Sequence, residues 1–337
     1  MNQFDLDRIN YQEILNTRLC DFRFKIKESF LEPLIKQVKE ELKAKKICIK
    51  PRFFISNEWF CPDSSIAVSI PFYLFHKKLI KLEKEFIGYA EGANKSWALK
   101  LLRHETGHAI DNAFRLRRKS RRSKIFGKAT VKYPISYSFK QHSKNYVRHI
   151  EDGYAQAHPC EDFAETFAVW LDPISNWKNR YKSWPCFNKL LYVDRLMNEI
   201  SGKKPFELNK EKYYALCELK LTYKEYLEEK QKKHSKMDDQ FWDPALKACF
   251  SRPGSTTNKI NAIKLIKQNK IILLEKVTKE TSKPKYIVKN MLDSFEKRAQ
   301  RLDFHVANKD NILSKIERQL SIKANEYIKN NKHYIFI

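Results

Sequence analysis

The sequence His104-Glu105-Thr106-Gly107-His108 constrains this chain more than any other feature. Apolar residues at helical spacing surround it and predict a helix from about residue 96 to 117. Side chains four residues apart lie on one face of a helix, so His104 and His108 can bind one metal ion together. Glu105 lies beside them and can accept or donate a proton. We therefore expect the fold to bring at least one further ligand to this helix.

The same helix carries two other signals. Asn94 or Ser96 can cap its first turn, because their short polar side chains accept hydrogen bonds from free backbone N–H groups. Gly107 costs the helix about 1 kcal/mol relative to alanine. A glycine at this position indicates that another backbone approaches the helix closely.

A second helix is predicted after Pro159, over residues 160–171. Glu161 and Glu165 are four residues apart in it and share a face, while most of its other residues are apolar. Burying two carboxylates among apolar side chains is unfavourable unless they meet a cation or hydrogen-bond donors. A metal ion bound to one carboxylate, and a ligand histidine bonded to the other, would explain both.

A catalytic zinc ion takes three protein ligands and keeps a position for water. We predict Glu161 as the third ligand, with Glu165 bonded to a ligand imidazole, although the reverse order is also possible. Asp162 and His158 are weaker candidates, because Asp162 points away from the shared face and His158 precedes the helix.

Asp111 lies about one turn beyond His108. It can either orient a ligand imidazole or form an ordinary helix ion pair with Arg115, four residues further on. The sequence leaves both alternatives open.

Taken together, HExGHxxD and the helix reading EDFAE resemble the gluzincin metallopeptidases, over about residues 15–200. The chain is especially similar to a family of bacterial zinc-binding metallopeptidases whose catalytic core resembles that of anthrax toxin lethal factor. The resemblance implies a zincin-like core, a Zn²⁺ cofactor and peptide-bond hydrolysis, with Glu105 as general base. It also implies that Tyr154, seven residues before Glu161, stabilises the reaction intermediate; otherwise Tyr154 is a packed loop residue.

The remaining sequence predicts an α+β fold. Stretches rich in β-formers between residues 47 and 70 predict a small twisted sheet of about three strands. We expect this sheet to lie over the helix that carries His104 and His108, here called the metal helix. Residues 118–150 resemble an extended loop or flap. We predict an N-terminal helical segment over 1–45, the catalytic core over 46–200, and a lysine-rich, mostly helical region over 201–337, to which no sequence feature assigns a chemistry.

The formal net charge of +26 raises the question of an anionic partner. The densest basic cluster runs from Arg115 to Lys124, directly after the metal helix, and predicts either a polyanion contact or a solvated surface. Besides a peptidase acting on a peptide or protein, two functions remain open. One is a zinc hydrolase of a non-peptide amide, and the other is a polyanion-binding protein with a structural or vestigial metal.

Several absences narrow the class of protein. Seven scattered cysteines without a CxxC pair, and a polar first segment, favour a cytoplasmic protein. No apolar run approaches the roughly 18 residues that span a bilayer, so no membrane association is predicted. Neither GxGxxG nor GxxxxGK[ST] is present, which argues against nucleotide-dependent chemistry.

Overall fold

A computed structural model describes residues 6–87, 89–134, 136–137, 139–140, 142–206, 214–235, 241–251, 260–283, 285–302, 304–306, 311–329 and 335–336. The chain divides into two compact units, Met1–Gln231 with Phe336–Ile337, and Lys232–Ile335. The described residues are mostly helical with a small parallel sheet, consistent with the predicted α+β class. The predicted zincin-like core and the division at residues 45 and 200 stay predictions.

Helices dominate the first unit. In chain order they are α1 (Tyr11–Asn16), α2 (Glu32–Ala44), α3 (Lys77–Ile87), α4 (Lys95–Ala113), α5 (Ser120–Phe126), α6 (Pro159–Leu171), α7 (Trp177–Arg180), α8 (Phe187–Ile200) and α9 (Tyr223–Ser235). Short 3-10 turns lie at Leu19–Asp21, Phe72–Phe75, Leu116–Arg118, Glu151–Gln156 and Leu216–Glu218. The core of this unit is one continuous apolar cluster. It includes residues of α4, which carries His104 and His108, and of α6, which carries Glu161 and Glu165.

The sheet of the first unit has two strands in the described residues, where about three were predicted. Strand β1 (Arg52–Ser56) pairs in parallel with β2 (Ala67–Pro71), and every residue of β2 is buried. The stretch at residues 47–49, the first of those rich in β-formers, forms no strand. Its first N–H, that of Ile47, instead donates to the carbonyl of Leu42 and closes the end of α2. A further strand, β3 (Ser136–Tyr137), follows α5.

Helix α4 begins where the sequence predicted and ends earlier. The side chain of Asn94 accepts a hydrogen bond from Trp97 N (2.9 Å), so Asn94 rather than Ser96 caps the helix. The helix stops at Ala113 instead of about residue 117, because Arg115 adopts a left-handed conformation with φ of 50°. The basic residues after it therefore do not continue the face that carries His104 and His108.

Helices α4 and α6 pack directly against each other at Gly107. A Cβ atom at Gly107 would lie 2.9 Å from Ala164 Cα and 3.1 Å from Ala164 O. The close approach of a second backbone, predicted from this glycine, is confirmed. Because the two helix axes come so near, the polar side chains of one helix meet those of the other.

Residues 118–150 are only partly extended. The first part forms α5, whose Arg122 and Phe126 are buried, so the prediction of a loop from residue 118 is wrong there. Arg122 is anchored by Asp111 and lies over the ring of Phe163 at 4.9 Å. Residues 127–134 then cross to the first turn of α6 without regular secondary structure.

Helix α9 contributes a buried lysine to the first unit. Lys230 Nζ lies 2.7 Å from Glu83 Oε1 on α3 and 3.0 Å from Glu58 Oε1, which follows β1. Glu83 is fully buried. The hydroxyl of Tyr223, also on α9, donates to Leu79 O at 3.1 Å. This ion-pair network ties α9 to the elements that precede the metal helix.

The second unit has its own apolar core, built from α10 (Asp243–Cys249), α11 (Ala262–Thr281), α12 (Lys285–Arg301) and α13 (Ile312–Lys329). Strand β4 (Ile260–Asn261) pairs antiparallel with β5 (His305–Val306), and β6 (Ile335–Phe336) ends the described chain. No helix in the described residues of either unit has both the length and the apolar character needed to cross a membrane.

Candidate metal centre

Three side-chain donor atoms from α4 and α6 converge on one point. His104 Nε2 lies 3.1 Å from His108 Nε2 and 3.0 Å from Glu161 Oε2. The distance from His108 Nε2 to the same carboxylate oxygen is 3.1 Å. His104 and Glu161 are buried, while the side chain of His108 keeps 14% of its surface exposed. The structure thus brings together the two histidines and the glutamate predicted as metal ligands.

The spacing of these atoms fits a tetrahedral zinc site. Two ligands about 2.0 Å from a tetrahedral Zn²⁺ are roughly 3.3 Å apart, so the observed separations need to change by only a few tenths of an ångström. Two imidazoles and one carboxylate are also the donor set that catalytic zinc sites use.

Glu165 fixes the ring of His104. Its Oε1 accepts a hydrogen bond from His104 Nδ1 at 2.8 Å, and its Oε2 accepts one from the backbone N–H of Ile150, also at 2.8 Å. A proton on Nδ1 leaves the lone pair on Nε2, which is the nitrogen that faces the other two donor atoms. Glu161 thus lies beside both Nε2 atoms and Glu165 lies behind the imidazole of His104. Their roles as metal ligand and as support for the ligand stay predictions.

The electrostatics of the cluster favour positive charge at its centre. Burial acts to raise the pKa of Glu161, but the His108 charge and hydrogen bonds from both histidines hold it well below its usual range. Burial acts to lower the pKa of His104, whereas its hydrogen bonds to Glu161 and Glu165 raise it well above the ordinary value. A divalent cation satisfies the same carboxylates without protonating the imidazoles.

Glu105 is buried beside this cluster. Within the described part of the chain, its carboxylate accepts no hydrogen bond, in contrast to the fully engaged Glu161 and Glu165. Burial raises the pKa of Glu105, and the nearby histidines oppose the shift. The assignment of Glu105 as a general base stays a prediction.

Glu91 is a further acid near the centre. Burial, together with the charge of Glu58, raises the pKa of Glu91 to about 7. The charge of Glu105 raises this pKa further, while that of His104 lowers it.

Tyr154 and Asp111 differ in how they relate to the centre. The ring of Tyr154 lies 5.5 Å from the ring of His104, and burial raises the pKa of its hydroxyl well above 10, so the hydroxyl stays a hydrogen-bond donor. Its predicted role stays a prediction. Asp111 instead accepts a hydrogen bond from Arg122 at 2.8 Å. Among the described residues neither an imidazole nor Arg115 is its partner, because α4 ends at Ala113 and the chain folds back through α5.

One side chain near the centre, Tyr133, was not assigned a role by the sequence. The hydroxyl of Tyr133 donates to Glu161 Oε1 at 2.7 Å, and its ring stacks on His158 at 3.7 Å. His158, considered only as a weaker ligand, caps α6 by accepting from Cys160 N at 3.1 Å. Asp162, the other weak candidate, accepts from Lys189 Nζ at 2.6 Å. In the sequence, Tyr133 could have been noticed as an aromatic residue that precedes Pro134 in an otherwise polar stretch.

Ion pairs neutralise part of the basic cluster after α4. Arg122 is buried against Asp111, Arg117 lies 3.0 Å from Asp63, and Lys119 lies 3.0 Å from Glu199. Exposed positive charge remains at Arg115, Arg118, Arg121 and Lys124. A polyanion contact at this surface stays a prediction, as does the cytoplasmic location.

Comparison with known families supports the chemistry of the site. A family described as “Putative zinc-binding metallo-peptidase” has a model that matches residues 98–183. The matched span contains His104, His108 and Glu161, so a zinc-binding description coincides with the histidine–glutamate cluster of the structure. Neither the curated proteins nor the solved structures gave a match to this chain. The finer resemblance, to bacterial relatives and to lethal factor, stays a prediction.

Proposed function

We propose that this chain is a zinc-dependent metallopeptidase of the gluzincin type, with His104, His108 and Glu161 as its zinc ligands. The observation that carries the proposal is the convergence of these three donor atoms within 3.1 Å beside the unbonded carboxylate of Glu105. A purely structural metal site has no need of a free carboxylate next to its ligands. The family match over residues 98–183 supports the same class of enzyme.

When bound, zinc supplies a Lewis acid that polarises a carbonyl group and makes water a stronger acid. Glu105 accepts the proton of the attacking water molecule and passes it to the leaving nitrogen. Tyr154 donates a hydrogen bond to the oxygen that becomes negatively charged, since its hydroxyl stays protonated. Glu165 holds the ring of His104 in the tautomer that presents Nε2 to the metal.

A peptide or protein is the substrate class that the family description supports. The alternative of a non-peptide amide uses the same residues, since metal and fold do not fix the substrate. No contact in the described residues favours the polyanion-binding alternative, because Arg122, Arg117 and Lys119 are already paired with acidic side chains.

The substitution Glu105→Gln tests the proposal, with Glu40→Gln as a control at an exposed position of α2. Purified wild-type protein, Glu105→Gln and Glu40→Gln are expected to hold equal amounts of zinc by elemental analysis. Cleavage of a peptide library is expected to be abolished in Glu105→Gln and unchanged in Glu40→Gln. His108→Ala should lose zinc itself. Undiminished turnover by Glu105→Gln would refute the assignment of the general base.

A further inference from the structure

Residues 127–134 run across the first turn of α6, and we name them the strap. The strap touches this turn at three places along its length. At its start, a Cβ atom on Gly127 would lie 3.1 Å from Pro159 Cγ. In its middle, Val131 O accepts a hydrogen bond from His158 Nε2 at 2.8 Å. At its end, the hydroxyl of Tyr133 reaches Glu161.

The hydrogen bond of Tyr133 selects one oxygen of the ligand carboxylate. Tyr133 donates to Glu161 Oε1 at 2.7 Å, whereas Oε2 of the same group is the oxygen within 3.1 Å of both imidazoles. An oxygen that accepts a hydrogen bond from a phenol is a poorer metal ligand than its unbonded neighbour. The bond therefore favours attachment of Glu161 through Oε2 alone, which leaves space around the metal for water.

His158 holds Tyr133 in this position. The two rings stack with centroids 3.7 Å apart and an angle of 18° between their planes. Both nitrogens of His158 are engaged, since Nε2 donates to Val131 O and Nδ1 accepts from Cys160 N. This bonding fixes a single neutral tautomer and a single ring orientation. His158 is 3% exposed and Tyr133 is 45% exposed, so a buried ring supports a half-exposed one.

We propose that Tyr133 is a positioning residue for the metal centre, which holds Glu161 as a one-oxygen ligand and depends on His158 for its own placement. The inference rests on the proposed function, because it describes the ligand set of the same site. Hydrogen-bond partners of metal ligands typically contribute 10- to 100-fold in metal affinity. The loss of the Tyr133 hydroxyl is expected to fall in that range.

Tyr133→Phe removes the hydroxyl and keeps the stacked ring, and Tyr192→Phe is its matched control. Tyr192 is a buried tyrosine whose hydroxyl has no hydrogen-bond partner among the described residues. Zinc affinity is measured by competition with a chromophoric chelator in the full-length protein. Tyr133→Phe should weaken zinc binding about 10- to 100-fold, and Tyr192→Phe should leave it unchanged.

A second variant, His158→Asn, tests the support of Tyr133. Asparagine keeps an acceptor at the N-cap of α6 but removes the stacked ring and the bond to Val131 O. It should weaken zinc binding as much as Tyr133→Phe, and the double variant should be no weaker than either single one. In the cobalt-substituted protein, both variants should change the visible absorption bands, because these report the number of ligands on the metal.

Each outcome bears on a separate claim. Wild-type zinc affinity and an unchanged cobalt spectrum in Tyr133→Phe would overturn the positioning role, even if the wild-type protein cleaves peptides. A weakened site in Tyr133→Phe, together with undiminished turnover by Glu105→Gln, would support the positioning role and refute the peptidase mechanism. A wild-type protein that binds no zinc would overturn both.

Discussion

Gly107→Ala is the most direct test of how α4 and α6 create the metal centre. The added Cβ would lie 2.9 Å from Ala164 Cα, and an ordinary contact begins at 3.4 Å, so the helices must separate by about 0.5 Å. Overpacking of this kind costs about 1–3 kcal/mol. Alanine returns about 1 kcal/mol through its helix propensity. The expected net loss in the free energy of unfolding is about 0–2 kcal/mol.

The same displacement acts on metal binding, because His104 and His108 lie on one helix and Glu161 on the other. Metal sites tolerate errors of only about 0.5 Å. We therefore expect zinc affinity to fall at least about tenfold, equivalent to 1.4 kcal/mol. Unfolding by urea in the presence of a chelator gives the stability, and chelator competition gives the affinity.

Gly202→Ala provides the matched control for this experiment. Gly202 has φ of 73°, and no atom of the described residues lies within 4 Å of an added Cβ, so alanine there strains the backbone without crowding a described neighbour. A loss of about 1–2 kcal/mol in stability with unchanged zinc affinity is expected. If Gly107→Ala matches wild type in both stability and zinc affinity, the two helices do not approach as closely as described and the reasoning fails.

Two further predictions concern charge. Glu165→Gln should weaken zinc binding about 10- to 100-fold, because one amide oxygen cannot accept from both His104 Nδ1 and Ile150 N; unchanged affinity in a chelator competition would contradict this. In zinc-free protein, burial raises the pKa of Glu91 in the folded state to about 7, above its ordinary value of 4.5. Between these two pH values the folded state binds more protons than the unfolded state. The free energy of unfolding therefore decreases as the pH rises through this range. Urea unfolding should therefore show Glu91→Gln gaining stability over wild type at pH 8 relative to pH 5, and an equal difference at both pH values would refute the assignment.

The sequence predicted the parts of the centre whose geometry is set within one helix. His104 and His108 share a face because of helical periodicity alone, and the same argument pairs Glu161 with Glu165. Gly107 indicated the close contact between the helices. Glycine destabilises a helix relative to alanine, so its presence in mid-helix suggested that a larger side chain would not fit there. These arguments need no knowledge of how the chain returns from one helix to the next.

The sequence did not predict contacts that depend on irregular backbone. Tyr133 and Glu161 are 28 residues apart and are joined through the strap, whose path follows no period. Asp111 was expected to pair with Arg115 or a ligand imidazole because helical spacing was extended past Ala113. The left-handed turn at Arg115 brings Arg122 to Asp111 instead. Ile47 was expected in a strand, but its N–H is used to end α2.

The lysine on α9 has a consequence for any shortened version of this chain. A fragment that stops after Ile200 keeps His104, His108 and Glu161 but loses the ammonium group that neutralises Glu83. An unpaired carboxylate in that fully buried position would be expected to destabilise the fragment by several kcal/mol. Possession of every ligand would therefore not make such a truncated chain competent to hold its metal.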